Sequence, residues 1–182
     1  MSNLPGGITA REETARILRV DHAGEYGAAR IYAGQLAVLG KGEKGDLLRH
    51  MRAQEAVHLD TFSRLIAARR VRPTALLPVW HLAGFALGVA TAALGSRAAM
   101  ACTVAVEEAI DEHYGVQVSA LRERAADAEP ELIETIEKFR AEELEHRDIG
   151  LQNEAEKAPG YRLMSAAIKA GCKVAIRLSE RI

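Results

Sequence analysis

Apolar positions repeat at helical intervals along most of this chain, and glycine or proline marks most of the places where the rhythm breaks. The pattern predicts six helices, roughly 9–39, 43–69, 75–95, 97–125, 130–156 and 160–181. Thr9, followed by Glu12 and Glu13, supplies an N-terminal cap for the first. Gly40-Lys41-Gly42 reads as a tight turn between the first two, and Pro130 closes a second turn centred on Asp127. Two stretches are unusual. From Pro73 to Ser96 no charged side chain occurs, and His81 stands among mainly apolar residues. In the last helix Lys169, Lys173, Arg177 and Arg181 form a basic stripe beside apolar Leu163, Ala167, Ala170, Val174 and Leu178.

Composition narrows the fold class to all-α. Aromatic residues make up 4% of the chain, and alanine and leucine are plentiful, which favours helix over sheet. With 182 residues and no linker, the expectation is a single domain over 1–182, with 1–8 disordered. A net charge of −1 gives no electrostatic case for nucleic acid. Cys102 and Cys172 lie in apolar helical stretches without ligand or redox spacing, which suits a reducing compartment. Met1 to Ala10 has neither the form of a secretory signal nor that of a transit peptide.

The chemistry lies in two Glu-x-x-His triplets 88 residues apart, Glu55/His58 and Glu143/His146. Each is preceded on an earlier helix by a glutamate, Glu25 and Glu107 respectively. Four carboxylates and two imidazoles in this order are the ligand set of the ferritin-like dimetal four-helix bundles. Residues three apart share a helix face, so both ligands of each triplet point one way. Folding at Lys41 brings Glu25 level with Glu55 and His58, and folding at Asp127 brings Glu107 level with Glu143 and His146. This arithmetic does not separate Glu107 from its neighbour Glu108. Four glutamates would neutralise two divalent irons, a balance that an apolar core tolerates. The bland alternative is that these glutamates are solvated helix faces, as most are in a chain with 25 acidic residues.

The shared site also constrains the uncharged stretch. A helix spanning the bilayer there would place the two halves of the ligand set on opposite sides of the membrane. The expectation is therefore a helix lying in the interface or dipping into one leaflet, flanked by Arg69, Arg70, Arg72 and Arg97. An ordinary buried helix, or an oligomer contact through Gly84-x-x-x-Gly88, is the alternative. The basic last helix suits an anionic membrane surface or a simple solvated face equally well.

Longer motifs carry a family resemblance. The runs Arg19-Val20-Asp21-His22-Ala23-Gly24-Glu25-Tyr26-Gly27-Ala28 and Ala101-Cys102-Thr103-Val104-Ala105-Val106-Glu107-Glu108 resemble the demethoxyubiquinone hydroxylase family of ubiquinone biosynthesis. So do Arg70-Val71-Arg72-Pro73-Thr74 and the segment Glu142-Glu143-Leu144-Glu145-His146-Arg147-Asp148. The likeness runs from about residue 16 to the C-terminus. It implies a ferritin-like four-helix bundle with a dimetal core plus two additional helices. It implies two iron ions on Glu25, Glu55, His58, Glu107, Glu143 and His146, with Glu55 and Glu143 bridging. The family motif puts the fourth-helix ligand at Glu107, and links His113 and Tyr114 with proton and electron delivery. The implied reaction is hydroxylation of the ring of a polyprenyl methoxy-methyl-benzoquinone by dioxygen, with an external reductant. Implied partners are the quinone, the membrane surface, a lipid-binding accessory protein or biosynthetic complex, and a second copy of the chain. The implied place is the cytoplasmic face of a bacterial inner membrane, or the mitochondrial matrix face if a presequence has been removed. Other ferritin-like dimetal proteins (iron-oxidising storage proteins, peroxidases, dimanganese catalases) share the six ligands but have no evident need for the uncharged helix.

Overall fold

The computed structural model describes residues 9–125 and 129–182, with backbone alone at 124 and 125. The expected disorder of 1–8 and the turn at Asp127 lie outside the described residues. The described residues hold helices α1 (Ala10–Leu39), α2 (Gly45–Ala68), α3 (Leu77–Ala93), α4 (Ser96–Ala125), α5 (Pro130–Gln152) and α6 (Tyr161–Ser179), and no strand. Local chemistry sets the ends. Thr9 and Glu12 form a reciprocal capping box that satisfies two donors at the start of α1. At the α1–α2 turn a Cβ on Gly45 would lie 2.3 Å from the Gly40 carbonyl oxygen, so this tight return needs glycine.

One boundary differs from expectation. The fifth helix does not run to 156; it stops at Gln152 and gives way to a 3-10 turn at Ala155–Lys157. Asn153 donates from its side chain back to the Ile149 carbonyl at 2.8 Å. Glu154 takes a left-handed backbone, φ 62°, while its carboxylate accepts from Arg97 and Lys157. Those charge-assisted bonds offset the cost of the left-handed conformation.

Helices α1, α2, α4 and α5 make the four-helix bundle: α1 packs on α2, α4 on α5, and α1 on α4. Its core has two apolar layers. One joins Leu18, Phe62, Ile66, Leu121, Ile136 and Phe139 from all four helices. The other gathers Tyr32, Leu48, Met51, Met100 and Val104. On each helix the predicted ligands fall between these layers, so the middle of the bundle is polar and both ends are dry.

The two additional helices cover the α1/α4 side. α3 lies on α1, and α6 lies on α4 and touches α1. The α1–α3 contact is backbone to backbone. A Cβ on Gly88 would come 2.1 Å from the Ile31 carbonyl oxygen, and one on Gly84 2.8 Å from that of Gly27. Gly84-x-x-x-Gly88 is therefore used within the chain, against α1, rather than in an oligomer contact. The outer face of α3 remains open: Leu82 on it and Leu94 just past its end are each 71% exposed. On α6, Leu163 and Val174 are also exposed. Half of the basic stripe is not free: Lys169 pairs with Glu108 and Lys173 with Glu112, both on α4. Among the described residues, no helix is long and apolar enough to cross a membrane.

Candidate metal centre

Six buried side chains meet between the two apolar layers. Glu25 comes from α1, Glu55 and His58 from α2, Glu107 from α4, and Glu143 and His146 from α5; none is more than 1% exposed. They form two overlapping groups. Glu25, Glu55, His58 and Glu143 each offer one ligand atom, all within 4.8 Å of one another; so do Glu55, Glu107, Glu143 and His146. Glu55 and Glu143 are common to both groups, the position a bridging carboxylate would take. Spacing left Glu107 and Glu108 unresolved, but packing separates them: Glu107 faces inward and Glu108 faces Lys169.

Orphaned acceptors show what the cluster is suited to hold. Oε2 of Glu55 and Oε2 of Glu107 are buried without a hydrogen-bond donor, and Glu55 Oε1 and Glu25 Oε2 meet only the inward imidazole nitrogens, His146 Nδ1 at 3.2 Å and His58 Nδ1 at 3.6 Å, outside good hydrogen-bond geometry. Buried carboxylate oxygens left so are costly unless a cation or proton meets them. The two histidines turn Nδ1 inward. His58 Nδ1 lies 3.0 Å from Glu143 Oε1, and His146 Nδ1 lies 3.1 Å from Glu143 Oε2. Their outer nitrogens are engaged: His58 Nε2 with Glu142 Oε2 at 2.6 Å, and His146 Nε2 with Gln54 Oε1 at 3.0 Å. A proton held on Nε2 by an outward acceptor leaves the Nδ1 lone pair for a metal. Four oxygen donors and two nitrogen donors are the hard, mixed set that suits iron or manganese.

The electrostatics agree with that donor set. Burial, reinforced by the neighbouring carboxylates, holds Glu55 and Glu107 well above the usual carboxylate range. Burial also raises Glu25, against the opposing pull of His58 and Tyr114. At His58 burial favours the neutral ring, but hydrogen bonds and charge from Glu143 and Glu25 outweigh it and raise the imidazole to about 11. Glu143 is likewise desolvated, yet its bonds to His146 and His58 bring it down to about 2. Without a metal, protons do the work of the missing positive charge.

Two tyrosines hold the outer ends of the carboxylate array. The Tyr114 hydroxyl donates to Glu25 Oε1, and that of Tyr32 donates to Glu107 Oε1 at 3.1 Å. Tyr114 is thus fully buried at the site, whereas His113 is one step removed. Its Nε2 lies 2.8 Å from Gln117 Nε2 and 3.5 Å from Asp21 Oδ1, and its side chain is 16% exposed. Asp21, Gln117, Tyr32, Gln54 and Glu142 escaped the sequence reading. Asp21 and Gln117 had a signal: both stand at helical spacing from site residues, four before Glu25 and three after Tyr114.

Beside the centre lies an apolar cavity of about 480 Å³, open on one side and lined by α1, α3, α4 and α6. Gly24, Ala28, Val106 and Ile110 form its floor along the α1/α4 seam. Leu87 and Trp80 from α3 and Ile168 and Ile176 from α6 form its walls. Gly24 and Val106 directly adjoin the clustered Glu25 and Glu107 in sequence, so the floor is the outer side of the helices that carry them. At one end Trp80 Nε1 donates to Ser179 Oγ at 3.0 Å and ties α3 to α6.

The comparisons with known proteins agree with this geometry. The model of the family described as "Ubiquinone biosynthesis protein COQ7" matches residues 12–179. The chain is 57% identical over 172 residues to the bovine NADPH-dependent 3-demethoxyubiquinone 3-hydroxylase, mitochondrial, covering 94% of this chain and 79% of that protein. It is 58% identical over 180 residues to the 3-demethoxyubiquinol 3-hydroxylase of Rhodospirillum rubrum, covering 98% and 83%. The 5-demethoxyubiquinone hydroxylase of Saccharomyces cerevisiae, also mitochondrial, is 40% identical over 180 residues, covering 92% and 77%. A helical bundle, two overlapping Glu/His groups and a family match over nearly the whole length converge: the chain belongs to the COQ7 family of ubiquinone biosynthesis proteins.

Proposed function

We propose that this chain is a di-iron monooxygenase that hydroxylates the ring of demethoxyubiquinone, or its quinol, in ubiquinone biosynthesis. The observation that supports this reading best is the pair of ligand groups sharing Glu55 and Glu143, set beside an apolar cavity. In this reading Glu25 and His58 would hold one iron and Glu107 and His146 the other, with Glu55 and Glu143 available to both. Iron, when bound, supplies the redox chemistry that splits dioxygen, one atom going to the ring and the other to water. Replacing a ring hydrogen by hydroxyl consumes one dioxygen, two electrons and two protons, and gives one water. NADPH, part of the printed name of the bovine and human relatives, is the first reductant to test.

The chain's own residues perform the rest. The apolar layers on either side of the centre exclude water, so reducing equivalents are not lost to solvent. Tyr114 and Tyr32 hold Glu25 and Glu107 in place. His113, partly exposed and backed by Asp21 and Gln117, is the point at which protons enter from solvent toward Tyr114. The ring enters through the cavity and meets the centre at the α1/α4 seam, where Gly24 and Ala28 keep the wall thin. The tail stays in the lipid, because the exposed apolar faces of α3 and α6 rest in one leaflet on either side of the cavity. Iron-storage and catalase chemistry would use the same six ligands, but small soluble substrates need neither that cavity nor that face.

The experiment is mass spectrometry of quinones in a host lacking its own hydroxylase, with and without this gene. The reading expects the demethoxy precursor to fall and ubiquinone to return. Accumulated precursor, unchanged by a well-expressed and iron-loaded protein, would overturn it.

A further inference from the structure

Each half of the centre carries a side chain whose position repeats but whose charge does not. The residue immediately before each shared glutamate is Gln54 on α2 and Glu142 on α5. Each crosses to the histidine of the opposite helix. Gln54 Oε1 meets His146 Nε2 at 3.0 Å, and Glu142 Oε2 meets His58 Nε2 at 2.6 Å. The two bonds occupy the same place in the two halves, yet one acceptor is a neutral amide and the other a carboxylate. A carboxylate acceptor makes the shorter, charge-assisted bond and leaves the far nitrogen of the ring a stronger electron donor. Lys138 Nζ is 3.8 Å from Glu142, but at Oε1, so the oxygen facing His58 is not shared with it. In the rest of the ligand set the halves match: one glutamate and one histidine of its own, two shared glutamates, and a tyrosine hydroxyl on the unshared glutamate.

We infer that Glu142 and Gln54 make the two metal positions unequal, so that the position held by Glu25 and His58 binds its ion more tightly and fills first. Both are positioning residues, acting on the metal through the ring they hold. The inference rests on the metal-binding reading above. It has a consequence for the order of assembly: at limiting iron the chain is a mononuclear protein with the α1/α2 half occupied.

The test is anaerobic titration of the apo-protein with ferrous iron, read as a binding isotherm, together with Mössbauer spectra of samples loaded with one equivalent of enriched iron. Wild type is expected to show two steps. His146→Ala should retain the tighter step, and His58→Ala should lose it. Glu142→Gln should weaken the tighter step roughly ten- to a hundredfold while sparing the weaker one. Gln54→Glu should tighten the weaker step by about tenfold and bring the two together, a gain of affinity that general damage to the fold does not produce. The double exchange, Gln54→Glu with Glu142→Gln, should reverse the order of filling, with the Mössbauer signal at one equivalent changing accordingly. Glu142→Gln weakening both steps equally, or Gln54→Glu leaving their separation unchanged, would overturn the inference while leaving the metal reading intact. Failure of the wild type to bind any iron would overturn both.

Discussion

Glu107 and Glu108 are neighbours in sequence and opposites in environment. Adjacent helical side chains point about 100° apart, so only one can face the centre. The inward Glu107 meets Tyr32 and the shared glutamates, while the outward Glu108 pairs with Lys169 on α6. Glu107→Gln should therefore lower iron occupancy from two per chain and reduce turnover by a large factor. Glu108→Gln should leave both near wild type, because a half-exposed ion pair contributes only about 0–1 kcal/mol. Metal analysis and steady-state rates check the pair, and a silent Glu107→Gln would move the ligand assignment by one residue. Tyr114→Phe should keep the fold and the iron but slow turnover, because it removes only the hydroxyl that holds Glu25. Five of the six clustered residues were legible from helical periodicity, which fixes the side chains that share a face, and Glu107 was told from Glu108 only by the family resemblance. The partners Gln54 and Glu142 were not. Their roles depend on which helix stands opposite, and a one-dimensional pattern carries no such information.

Helix α3 shows the same division between what a pattern fixes and what packing decides. Its lack of charge was plain from the sequence, but two of its faces have different uses. One is pressed against α1 through Gly84 and Gly88, and the opposite one, with Leu82 on it and Leu94 just past the helix end, is exposed. Gly88→Ala should separate α1 from α3 and destabilise the protein by about 1–3 kcal/mol, because the added methyl meets backbone that cannot move aside. Thermal melts test this, and an unchanged midpoint would mean that the helices are not in such close contact. Aspartates at Leu82 and Leu94 should leave iron content unchanged, since no ligand lies on α3. They should also weaken liposome binding, at about 2–3 kcal/mol for each charge carried into lipid. Co-sedimentation equal to wild type would take the membrane face away from α3. The early end of α5 was illegible for another reason. The break at Asn153 and Glu154 is held by Arg97, which is remote in sequence, and no glycine or proline follows it until Pro159.

In the molecule as a whole, a dry bundle encloses a centre that is stable only when its charges are balanced. Without metal, protons provide the balance, and the sign of the pH dependence follows. Glu25, Glu55 and Glu107 sit above their usual values, and His58 is raised to about 11. A group whose value is raised by folding contributes stability that is present at low pH and lost as pH rises toward the folded value. Glu143, lowered to about 2, acts in the opposite sense, but only below the ordinary carboxylate range near 4.5. The apo-protein should therefore lose stability as pH rises above the ordinary carboxylate value of 4.5, with the His58 part of the loss falling between 6.5 and about 11. Iron binding needs the same groups deprotonated and should tighten over that interval. The difference in melting temperature between iron-loaded and apo-protein should widen as pH rises; a constant difference would show that these groups do not bind the metal. The most direct measurement of the chemistry is a single turnover. The protein is loaded anaerobically with two irons per chain, given a demethoxyquinol and exposed to oxygen-18 gas in ordinary water. The new ring hydroxyl should carry the heavy isotope, in an amount that rises with bound iron to one product per pair. Product whose hydroxyl takes its oxygen from water, or no product from a fully loaded centre, would contradict a di-iron monooxygenase.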